Sequence, residues 1–111
     1  MRPLLPLLLL LAAFPARAAD LNDYPTSARA DYVFACMKAN GDTRTSLEKC
    51  SCSIDVIASL LPYERYVQAE TVASVNQQAG QMGNMMRNTT TARDMLEELR
   101  RAQAEAMVRC F

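Results

Sequence analysis

Cys50-Ser51-Cys52 sets two cysteines two residues apart, with Cys36 ahead of them and Cys110 far downstream. On a helix, two residues subtend about 200°, so the side chains of such a pair leave on nearly opposite sides. A short chain whose one helix must bond in both directions has few folds open to it. The chain has 111 residues, four cysteines and no histidine. An even cysteine count in a chain of this size reads as a set of disulfides when the compartment is oxidising.

The N-terminus points to such a compartment. Arg2 precedes an apolar run through Leu7 to Leu11, and Ala16-Arg17-Ala18 forms an Ala-x-Ala cleavage site. At about eleven residues the run is too short for a bilayer, which needs about twenty. Residues 1–18 therefore read as a signal peptide, and 19–111 as one domain near the size where a core alone is marginal. Twelve basic residues balance twelve acidic ones in the full chain, and Arg2 and Arg17 leave with the signal, so the mature charge is −2. Opposite charges are interspersed, without the basic stripe a nucleic-acid partner requires. No long apolar stretch remains to hold a membrane after cleavage. The expectation is a soluble protein, periplasmic or secreted, and the short arginine-bearing signal suits a bacterial periplasm.

The mature chain reads as all-α, a small disulfide-stapled bundle of about four helices. Ala19 to Pro25 is a polar lead-in. Thr26 or Ser27 caps a first helix that carries Tyr32, Val33 and Cys36 on one face and stops at Asn40-Gly41. Thr45-Ser46-Leu47-Glu48 matches a capping box for the second. Leu47, Cys50, Ile54, Ile57 and Leu61 fall within about 80° of one another at 100° per residue, while Cys52 and Val56 leave from the other side. That helix is central, with two buried faces, and Leu61-Pro62 ends it. Pro62 opens a third helix with Tyr63, Tyr66, Val67 and Val72 inward. Residues 77–91, with Gly80, Gly83, Asn84 and three threonines, read as a long loop. The last helix starts near Thr91 and carries Ala92, Met95, Leu96, Leu99, Ala102, Ala106 and Cys110 as one apolar stripe.

Helix geometry favours one cysteine pairing. Cys36 and Cys50 stand about five residues either side of the first turn, at matching heights on antiparallel helices. Cys52, facing away, suits Cys110 on the last helix. The alternative, Cys36–Cys52 with Cys50–Cys110, needs only a modest register shift and stays open.

Three further features are candidates for function. Met82, Met85 and Met86 crowd a polar segment, and thioethers are soft ligands for Cu(I); the same methionines also suit apolar filling or a partner surface. Tyr63 and Tyr66 are candidate interface anchors or packing residues. Cys50 and Cys52 could exchange thiols, since Lys49 is adjacent and a helix start is near. Asp55, between Ile54 and Val56, calls for an arginine partner such as Arg29 or Arg93. With no histidine, no glycine-rich phosphate loop and no Cys-x-x-Cys, nothing in the sequence indicates an enzyme or a resident cofactor.

The segment Ala35-Cys36-Met37-Lys38-Ala39-Asn40-Gly41, followed by Cys50-Ser51-Cys52-Ser53-Ile54-Asp55-Val56-Ile57-Ala58, resembles a family of small exported bacterial four-cysteine helical proteins of unassigned activity. The resemblance extends to a cysteine near the C-terminus, covers most of the mature chain and implies no mechanism. The leading expectation is a noncatalytic periplasmic accessory or protein-binding module whose partner is another exported protein. Copper binding through Met82, Met85 and Met86, or thiol exchange at Cys50 and Cys52, are the alternatives.

Overall fold

A computed structural model describes residues 23–78, 80–87 and 89–111, with the side chains of Met82 and Met86 excepted. The expected signal peptide, residues 1–18, and its expected cleavage after Ala18 lie outside the described residues. Five helices and no strand occur among the described residues: α1 (Thr26–Asn40), α2 (Arg44–Leu60), α3 (Tyr63–Asn76), α4 (Gln81–Arg87) and α5 (Thr90–Cys110). In space α1 packs on α2, α2 on α5 and α5 on α3, while the short α4 leans on α3 and α5. No extended seam joins α1 to α3 among the described residues, so the four longer helices form an incomplete ring.

The core lies on the α2–α5–α3 side. Ile54, Ile57, Ala58 and Leu61 meet Ala69 from α3 and Leu99, Ala102 and Ala106 from α5. The alanines let backbones approach closely, so much of this core is small side chains. Each side chain therefore brings little apolar area out of water, and covalent links matter more. Both disulfides follow the pairing that helix heights favour, Cys36–Cys50 and Cys52–Cys110, with Cα atoms 5.8 and 5.7 Å apart. Cys50 is fully buried and Cys52 half-buried, so α2 is covered on two sides as its sequence indicates.

The helix ends depart from expectation in instructive ways. Pro25, not Thr26 or Ser27, occupies the position before α1, with no side chain to bond the first turn. Tyr24, one residue further out, stacks under the Arg29 guanidinium at 5.7 Å, in the place a hydrophobic staple usually fills. Gly41 ends α1 at φ 109°, where only glycine is unstrained, and its N–H reaches the Met37 carbonyl at 2.8 Å. The cap of α2 is Thr43 rather than Thr45: the Ser46 N–H donates to Thr43 Oγ1 at 3.1 Å. Ser46, two residues inside the helix start, donates its own hydroxyl to the Asn40 carbonyl at 3.2 Å, so one serine knits the turn together.

Residues 77–91 are not a continuous loop, because α4 occupies Gln81–Arg87. The glycine that signals a loop is what lets this helix sit. A Cβ at Gly83 would meet the Gln78 carbonyl oxygen at 2.2 Å, so only glycine permits this approach. Arg87 then ties the helix down, donating to the Asn76 carbonyl at 2.7 Å and to Asn84 Oδ1 at 2.6 Å. On α5, the cap position is Thr89 rather than Thr91, and its hydroxyl donates back to the Met85 carbonyl at 2.8 Å. Val67, expected inside, is 42% exposed, while Val72 is buried.

Candidate functional site

Tyr24 shows how the lead-in contributes to the site. Its ring is buried, and its hydroxyl donates to the Leu61 carbonyl at 2.7 Å, the carbonyl left free where α2 ends. Beside it, both carboxylate oxygens of Asp23 accept from the Tyr63 N–H at 3.2 Å. Asp23 thus caps α3, whose own cap position is Pro62 and has no side chain able to do so. Tyr63 and Tyr66 sit 5.1 Å from the Tyr24 ring, centroid to centroid, and pack against the core. These two candidate partner residues are therefore largely spent on holding α3 against the lead-in.

Tyr66 has a second face, and it opens onto a cleft. This cleft, of about 590 Å³, fills the gap in the ring between α1 and α3. Asp31, Tyr32, Ala35, Cys36 and Asn40 of α1 form one wall, and Tyr66 and Glu70 of α3 form the other. Ser53 of α2 lies at the floor, and Gln103, Met107 and Phe111 close the end nearest the C-terminus. Burial pushes the Tyr66 phenol up to about 12, with the Glu70 carboxylate adding to the shift. Burial also raises Tyr32, partly offset by hydrogen bonding with Ser53. Both phenols are consequently neutral donors throughout the physiological range. The Glu70 residue is exposed as a whole, yet burial of its carboxyl in the cleft wall raises its pKa.

A second surface lies on the other flank of α1. No residue of α1 is buried. Phe34 is 63% exposed and joins Ala30, Val33 and Met37, with Leu47 of α2, in a largely apolar groove. At one side of the groove Arg29 pairs with Asp55 at 2.5 Å, the partner its sequence position calls for. Arg93, the other candidate for Asp55, instead donates to the Arg87 carbonyl at 2.9 Å. At the distal end of the bundle a third hollow carries Arg87, Arg93 and Arg100, but two of these guanidiniums already serve backbone carbonyls.

The remaining sequence candidates are placed as follows. Met82, Met85 and Met86 all fall in α4 at positions i, i+3 and i+4, and Met85 is 62% exposed. Cys50 and Cys52 are not bonded to each other; each is engaged with a distant cysteine, and no described cysteine is free. Among the described residues, no group of three or more acidic or cysteine side chains is placed to hold a metal ion. Tyr24 and Asp23 are the residues that sequence reading passes over. The signal was there in an aromatic residue standing just before Pro25 and a helix start.

No protein family, curated protein or solved structure matches this chain.

Proposed function

We propose that this chain is an exported, noncatalytic binding module that docks on another exported protein through the outer flank of α1. One observation carries the reading: α1 buries none of its fifteen residues, and Phe34 stands 63% exposed among Ala30, Val33 and Met37. Helices in small domains usually owe their stability to the face they bury. Here a disulfide and an ion pair help hold α1 in place, Tyr32 and Val33 pack only partly against the core, and Phe34 points outward. Contiguous exposed apolar surface of this kind marks protein contacts. Export is supported by the leader sequence and by cysteines that are all bonded among the described residues. No described helix is long and apolar enough to cross a membrane. The resemblance of the cysteine spacing to that of small exported bacterial proteins suits a periplasmic setting.

A photo-crosslinking residue in place of Phe34, with a control at exposed Asp94 on α5, tests the reading in the cells that export the protein. A single adduct from position 34 and none from position 94 is the expected result. Equal labelling from both positions, or none from either, overturns it. An adduct of twice the chain mass replaces the foreign partner with a second copy.

A further inference from the structure

We propose that the cleft between α1 and α3 binds a small organic ammonium ion, which the carboxylates of Asp31 and Glu70 hold against the rings of Tyr32 and Tyr66. This site lies on the opposite flank of α1 from the docking groove and does not depend on it.

The volume comes first. About 590 Å³ lies within the roughly 300–1,000 Å³ range of small-molecule sites. The lining carries two carboxylates and no lysine or arginine, so its formal charge is negative. Elsewhere five acids are paired, and Asp42, Glu64 and Asp94, which have no ion pair among the described residues, stand exposed outside this cleft. Glu48, Asp55, Glu97, Glu98 and Glu105 each pair with an arginine. Asp31 and Glu70 have no ion pair among the described residues. The Glu70 carboxyl is partly withdrawn from water without a partner, which is costly, and a bound cation offsets that cost; Asp31, at the exposed rim of the opposite wall, adds a second charge.

The rings decide which cation. Three aromatic side chains line one cleft, and the negative face of each attracts an ammonium within about 6 Å. Lys49, outside the cleft lining, already places its ammonium 5.6 Å from the Phe111 centroid, so Tyr32 and Tyr66 are the rings left to a cation in the cleft and Phe111 closes its end. Ala35 and Met107 add apolar contact that a methylene or methyl group fills and a hydrated metal ion does not. Hard divalent ions also require six or more oxygen ligands, which two carboxylates on facing walls do not supply. Phenols held neutral by burial complete the lining with hydroxyl groups that carry no charge of their own.

Titration of the mature, disulfide-bonded protein with choline, followed by calorimetry and by amide chemical shifts, tests the site. The neutral carbon isostere 3,3-dimethylbutan-1-ol is the control for shape. Choline should bind saturably and shift amides of α1, α3 and the C-terminal turn of α5. The isostere should bind about tenfold more weakly, equivalent to about 1.4 kcal/mol. Glu70→Gln and Asp31→Asn should each weaken choline several-fold, while Glu64→Gln, on α3 but outside the lining, should leave it unchanged. Equal binding of choline and its isostere overturns the proposal. So does parental affinity in both carboxamide variants, or no saturable binding of choline or methylammonium at about 50 mM. Far-UV dichroism and melting of the variants separate lost binding from lost fold.

Discussion

α5 meets α2 across a dry seam, where Leu99, Ala102 and Ala106 share one core with Ile54, Ile57 and Ala58. α1 meets the same helix without burying one of its own residues. Each of these two helices has a disulfide to α2, yet the bonds do different work. Cys52–Cys110 closes 58 residues of chain across a contact that burial already favours. Cys36–Cys50 closes only 14, and reaches from the buried Cys50 to a helix that buries no residue of its own. The difference teaches that a covalent link can free a helix from the usual obligation to pack inward. α1 can then keep apolar side chains facing out and remain folded.

Replacing both members of a bond puts that contrast at risk. The pair Cys52→Ala with Cys110→Ala should have the larger effect, about 4 kcal/mol on a loop-entropy estimate. For a domain of this size that is a fall in Tm of about 15–30 °C, read by calorimetry as one cooperative transition. The pair Cys36→Ala with Cys50→Ala should cost about 3 kcal/mol by the same estimate. Its loss should be local: hydrogen exchange should show α1 amides losing protection while those of α2 and α5 keep theirs. If α1 stays as protected as in the parent, side-chain packing holds it and the contrast fails.

The smallest effect concerns pH. Burial raises the Glu70 pKa above its value in the unfolded chain, so its protonated form is favoured in the fold. The stability that this group contributes is fully present below the ordinary glutamate range and is lost as pH rises through the raised value. Glu70→Gln should therefore melt about 1–2 °C above the parent at neutral pH, because the carboxyl is only partly withdrawn from solvent. The advantage should vanish below about pH 4. A constant difference across that range would show that the charge of Glu70 is not the cause. The same variant sharpens the cleft assignment, since a stabilised protein that has lost its ammonium ligand cannot have lost it by unfolding.

Much of the fold was legible because it rests on periodicity. The stripe from Cys50 to Leu61 named the buried face of α2, and the heights of Cys36 and Cys50 named their partner relation. Proline and glycine marked the ends of α1 and α2 correctly. What was not legible rests on exact local geometry or on contacts between distant residues. Thr43 outcompetes Thr45 as a cap because the helix starts at Arg44, which sets Thr43 three residues before the Ser46 N–H, and both threonines are equally good caps by type. Gly83 reads as a loop former, yet it is needed inside a helix, where another strand of backbone lies too near for a side chain. Tyr24 sits in a polar stretch, and only the free carbonyl of Leu61 explains its burial. The cleft was invisible for the same reason. Its residues come from three helices and the floor from a fourth, and no local motif records that α1 and α3 stand apart.

The two neighbouring cysteines of α2 have a mechanical consequence. Bonds leave the helix on opposite sides within one turn, at Cys50 toward α1 and at Cys52 toward α5. An axle gripped at two opposed points cannot spin: any roll that slackens one tether tightens the other. Force applied to Phe34 on α1 is therefore not absorbed by α2 rolling in its bed. It passes straight through to the end of α5, where Cys110 is anchored and where Met107 and Phe111 close the cleft.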